Sequence, residues 1–196
     1  MFKHFWVFWA CWIPIACMAQ QTISPNGLKG ISVAVMHEST TWPFTSYTPI
    51  HPGVEVEVTL RETHGVRSLQ RWNVALGGYF HERAETGIYL RGGYQYGWEA
   101  HRNLRLDASG GIGYMHHFYP NEVYEIDPET GDFSAINQLG KPRVIADVGL
   151  GLAFPNNSRF EPFIRQHFAV EAPFANGIPF FPHSLLKIGV TYTFKS

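Results

Sequence analysis

The ten histidines of this sequence are unevenly placed, and imidazole is the side chain best suited to bind a transition metal or change charge near neutral pH. Seven of them, His37, His51, His81, His116, His117, His167 and His183, fall near one set of strand ends. Strand alternation points five of these, His51, His81, His117, His167 and His183, to the same side from five different strands. Glu38, Glu82 and Glu171 lie close by in the sequence. Imidazoles converging from facing strands could hold zinc, copper or nickel, so these five are the candidate metal ligands. A transition metal is then the only cofactor the sequence suggests. The same group could titrate together as a switch. The plainer reading makes them interfacial residues bonded to loops and lipid phosphates, because His-x-His and His-x3-His spacings are absent.

The same side of the strands carries a second set, Glu55, Glu57, Arg61, Arg71, Arg91, Arg105, Asp107, Arg143, Asp147, Glu161, Arg165 and Lys187, which is five acids and seven bases. If the strands close into a narrow barrel, these groups face its bore, where an unpaired charge costs several kcal/mol. Near-balance of sign therefore predicts an interlocked ionic plug and not an aqueous pore. Inward glycines at 77, 93, 111, 113, 149, 151 and 189 leave room for long arginine side chains.

The elements that position these residues are strands. The last one shows the pattern most clearly: Leu186, Ile188, Val190, Tyr192 and Phe194 make an apolar face, and Lys187, Gly189, Thr191 and Thr193 a polar one. Seven further segments repeat it, giving predicted strands at 28–38, 52–62, 69–81, 86–98, 103–117, 142–154, 159–170 and 184–195. Each is long enough to cross a bilayer when tilted. Their apolar faces carry no Lys, Arg, Asp or Glu, although His37 and Gln166 share that parity. Aromatic residues sort toward both strand ends, as amphipathic rings do at headgroup level.

The links around 63–65, 100–102 and 155–158 are short and those at 39–51, 118–141 and 171–183 are long, with the brief His81–Glu85 link breaking the alternation. That asymmetry is expected of periplasmic turns and external loops, with both termini in the periplasm. Within the longest loop, Val123 to Ile126 and Phe133 to Ile136 flank the turn-forming Asp127-Pro128-Glu129-Thr130-Gly131-Asp132, which predicts a projecting hairpin. Its acids lack the full EF-hand spacing and read as a solvated turn.

Residues 1–19 read as an export signal: Lys3 and His4, an apolar core from Phe5 to Ile15, and Cys17-Met18-Ala19 before Gln20. Residues 20–27 form a short periplasmic lead and 28–196 the barrel. Both cysteines lie in the signal, so disulfides play no part in the barrel's stability. A formal net charge of −1 argues against nucleic acid as a partner. The fold class expected is all-β, an eight-stranded antiparallel up-and-down transmembrane β-barrel in the outer membrane.

With this architecture and its terminal Val190-Thr191-Tyr192-Thr193-Phe194, the chain resembles the OmpA/OmpX-like group of small outer-membrane barrels of Gram-negative bacteria. Lys195 and Ser196 after the aromatic depart from the commonest ending of that group. The resemblance implies outer-membrane lipid and lipopolysaccharide as surroundings. It also implies a structural, adhesive or surface-binding role, with an extracellular ligand or protein engaged through 39–51, 118–141 and 171–183. Some small barrels of this kind modify lipid A, and His167, Glu171, His183 and Ser184 are the residues available for such chemistry. The deacylase motif His-x-Ser-Asn is replaced here by His167-Phe168-Ala169-Val170, which removes the nucleophile, so catalysis is the weaker expectation.

Overall fold

The computed structural model describes residues 27–40, 49–81, 85–119, 123–126, 130–136, 140–156, 158–173 and 179–194. The export signal at 1–19, most of the lead, Glu82, Asp127 and Glu129 lie outside the described residues. The strands are β1 (Gly30–Ser39), β2 (His51–His64), β3 (Ser68–Phe80), β4 (Thr86–His101), β5 (Leu104–Phe118), β6 (Val123–Ile126), β7 (Phe133–Ile136), β8 (Pro142–Ala153), β9 (Phe160–Ala172) and β10 (Phe181–Thr193). Eight of them close into a barrel in the order β1-β10-β9-β8-β5-β4-β3-β2, every pair antiparallel. The seam between β1 and β10 runs in register from Gly30↔Thr193 to Ser39↔Ser184. At the periplasmic rim Phe194 N–H donates to Lys29 C=O at 2.9 Å. Closure removes the unpaired edge that hydrocarbon could not satisfy.

The alternation sorts the side chains in the reverse of a water-soluble protein. On β1, Ala34 and Met36 are buried in the bore while Val35 between them is 64% exposed. Ile112 and Leu150 are likewise 64% and 71% exposed on the outer wall. A continuous apolar exterior of this kind has lipid as its solvent. Trp72, Tyr96, Trp98, Phe154 and Phe160 stand on it toward the periplasmic rim, Phe80 and Tyr114 toward the external one. The prolines that fall within the described strands, Pro52, Pro142, Pro162 and Pro182, lie near strand ends, where a missing N–H costs little.

The strands depart from the expected bounds at both ends, β4 running on to His101 on the periplasmic side and β10 beginning at Phe181 on the external side. β9 and β10 stay paired as far as Phe181↔Glu171, so the link expected at 171–183 is shorter and Glu171 and His183 belong to the wall. The predicted hairpin forms as β6 and β7, paired from Val123↔Ile136 to Ile126↔Phe133, and Gly131 takes the left-handed φ of 75° in its turn.

One irregularity changes the inward set. The β2–β3 register steps from Thr59↔Asn73 to Arg61↔Trp72, leaving Leu60 as the extra residue of a β-bulge. Past the bulge the parity is inverted. Arg61, expected in the bore, is exposed on the outside, and Glu62 takes the inward place opposite Arg71.

Candidate functional site in the barrel bore

Inward side chains stack in layers from the periplasmic rim upward. In the lowest, Arg105 reaches Asp107 Oδ1 through Nε at 2.7 Å and Glu161 Oε1 through Nη2 at 2.6 Å. Arg71 donates through Nε to Glu62 Oε2 at 2.6 Å and through Nη1 to Glu161 at 3.2 Å. Above this, Lys187 Nζ donates to Glu55 Oε2 at 2.6 Å. Arg91 Nη2 lies between Glu55 and Glu57 at 3.5 and 3.4 Å, and its Nη1 is 3.6 Å from Asp147. Arg165 spans Glu57 at 3.2 Å and Asp107 at 3.8 Å, with its guanidinium 4.0 Å above the Phe163 ring. These groups are all buried except Glu62 and Glu161, which are partly so. The inward glycines supply the space: a Cβ at Gly97 would come within 2.5 Å of Arg105 Cδ, and one at Gly149 within 2.7 Å of the His167 ring.

A ring of apolar side chains caps these ionic layers. Met36, Tyr79, Tyr89, Met115, Ile145, Ala169 and Leu185 form one buried cluster across the bore. Its two tyrosines face opposite ways. The Tyr89 hydroxyl donates downward to Glu55 at 2.5 Å, and the Tyr79 hydroxyl donates upward to Glu85 at 3.4 Å.

Above this collar lies the external mouth. His183 Nδ1 is 2.9 Å from Glu38 Oε1, and His51 Nδ1 is 3.1 Å from Glu38 Oε2. His117 bridges two carboxylates, with Nε2 2.5 Å from Glu171 and Nδ1 3.0 Å from Glu85. Arg143 donates through Nη1 to the other oxygen of Glu171 and through Nη2 to the Tyr119 hydroxyl at 2.8 Å. The His51 and His81 rings lie 3.7 Å apart at the rim.

Of the five candidate metal histidines, the fold therefore gathers His51, His81, His117 and His183 at the mouth. It does not gather His167. That residue is one level deeper, beneath the collar, where its Nδ1 is 2.5 Å from Asp147. Arg143 moves the other way, belonging to the mouth and not to the ionic layers below. Glu85 was not singled out from the sequence because it sits in the β3–β4 link, where alternation assigns no direction. The collar residues did carry a signal, since each occupies an inward position of its strand.

On the outer wall, Gln166 and Ser184 share the lipid-facing parity but are buried against it, Gln166 Nε2 donating to Ser184 Oγ at 2.9 Å. His183 and Ser184 project to opposite sides of β10, one into the bore and one outward. No imidazole approaches the Ser184 hydroxyl among the hydrogen bonds of the described residues.

No protein-family model matches the sequence, and no curated protein matches it. Solved structures similar to it include Neisserial surface protein A, at 9% identity over 86% of this chain and 100% of that one, with a TM-score of 0.57. Ail, the attachment invasion locus protein of Yersinia pestis, aligns at 11% identity over 87% and 100%, TM-score 0.49. The N-terminal barrel domain of Pseudomonas aeruginosa OprF aligns at 12% identity over 86% and 100%, TM-score 0.42. Identities this low speak to the fold alone. Together with the closed eight-strand sheet and its lipid-facing exterior, that fold defines a small outer-membrane β-barrel.

Proposed function

We propose that this protein is a non-conducting surface barrel that binds an extracellular ligand through its external loops and does no chemistry on it. The observation that carries this reading is the β6–β7 hairpin. It forms a two-stranded sheet separate from the barrel and holds Tyr124, Ile126 and Phe133 at 56%, 54% and 72% exposure. Apolar side chains held in water on a two-stranded sheet are costly unless a partner covers them, and a two-stranded hairpin is only marginally stable alone. The charged layers beneath support a rigid base for such a hairpin. Lipopolysaccharide is the partner nearest to hand, since β1, β5 and β9 all end on the same external side.

The test uses liposomes carrying the purified barrel, offered to arrayed lipopolysaccharides, glycans and extracellular proteins. The wild type should be retained by at least one class of target. Tyr124→Ser combined with Phe133→Ser should lower that retention at least tenfold while the protein still shows heat-modifiable gel migration. Equal retention by both forms would refute the hairpin as the contact surface.

A further inference from the structure

We propose that the external mouth is a binding site for a divalent transition-metal ion of the zinc class, held by Glu85, Glu171 and His183. The site does not depend on the surface-binding reading and fails or stands by itself. One carboxylate oxygen from each glutamate and one ring nitrogen of His183 lie within 4.8 Å of one another. Ligands of a tetrahedral zinc stand about 3.3 Å apart, for metal–ligand bonds near 2.0–2.2 Å. Small side-chain rotations close that gap, with the strands of the wall unchanged.

The surroundings are those a metal ligand needs. His183 is 1% exposed, and its Nδ1 meets Glu38 Oε1 at 2.9 Å. Glu38 accepts the hydrogen bond from Nδ1–H, so Nε2 is the ring atom that faces the cluster and would bind the ion on losing its proton. Nε2 makes no hydrogen bond and lies 3.5 Å from Glu171 Oε2. A carboxylate that fixes the far nitrogen of an imidazole is the usual outer-sphere support of a zinc-bound histidine. Arg143 occupies Glu171 Oε1 and so turns Oε2 toward the two imidazoles. His117, touching both Glu85 and Glu171, keeps their oxygens aimed at one point.

Charge gives the second, independent reason. Among the described buried groups of the mouth, Glu38, Glu85 and Glu171 face a single guanidinium, Arg143. The remaining negative charge is met only by the imidazoles of His51, His117 and His183, above an apolar floor made by Met36, Tyr79, Met115, Ile145 and Leu185. Protons on these imidazoles can be given up, and one divalent cation in place of two of them leaves the charge of the mouth balanced. Two carboxylates and an imidazole suit zinc and its borderline neighbours better than the softer, thiolate-seeking ions.

The experiment is a calorimetric titration of zinc into the full-length refolded barrel in detergent, after chelator treatment. One ion should bind with micromolar or tighter affinity. Glu85→Gln and His183→Ala should each weaken it at least tenfold, whereas His81→Ala at the rim should change it by less than threefold. Glu85 lies in a link outside the barrel ladder, so its variant tests the site even if His183→Ala fails to refold. Cobalt substituted into the wild type should give a visible absorption band that Glu85→Gln removes. Absence of zinc binding by the wild type would overturn the proposal. So would binding that survives Glu85→Gln, or binding lost with His81→Ala, which would assign the ion to surface histidines.

Discussion

Below the apolar collar, every carboxylate has a guanidinium or ammonium within ion-pair reach: Glu55 has Lys187 and Arg91, Glu57 has Arg91 and Arg165, and Glu161 has Arg71 and Arg105. Above it, Glu38 is met only by the imidazoles of His51 and His183 among the described ion pairs, and Glu171 shares one arginine with two imidazoles. Both regions lie in one closed wall and both bury polar side chains. The lower one is paired mainly through arginines and Lys187, with His167 beside Asp147 as an added imidazole, which fits a structural part. The upper one relies on groups that can lose a proton or bind a metal, which fits a part that responds to its surroundings. A barrel this narrow can hold both because the collar insulates one from the other.

The difference is broken most severely at Lys187. Lys187→Met would leave Glu55 buried with Arg91 at 3.5 Å and the Tyr89 hydroxyl as its remaining partners. Removing one member of a buried pair costs about 3–5 kcal/mol. The guanidinium chloride midpoint of the refolded barrel in detergent should fall accordingly. An unchanged midpoint would mean that the lower layers do not hold the wall together.

A smaller effect sharpens the lower boundary. Glu62→Gln takes the charge from the group that accepts from Arg71 at 2.6 Å and should cost about 1–3 kcal/mol by the same measurement. Its neighbour Arg61 is exposed, and Arg61→Gln should stay within about 0.5 kcal/mol. Equal losses at the two positions would contradict the bulge at Leu60.

These two residues also mark where sequence reasoning reaches and where it stops. Period-two alternation located all eight barrel strands and pointed most of the charges inward, and turn chemistry located the hairpin in the longest loop, because each rests on local backbone geometry. A bulge inserts one residue without a composition signal, so Arg61 and Glu62 exchanged sides unseen. Depth is the other limit. Parity says that His167 and His117 both face inward, but only the stagger of neighbouring strands puts one beneath the collar beside Asp147 and the other above it beside Glu85 and Glu171. Glu85, on a link, had no parity to read.

Conductance across a planar bilayer tests the central claim most directly, since layers of ion pairs beneath an apolar collar are expected to bar a continuous water path along the bore. The purified wild-type barrel should give a flat baseline under applied voltage. Large, stable open steps from the wild type would contradict a filled bore and, with it, the division into a paired lower chamber and an acidic mouth.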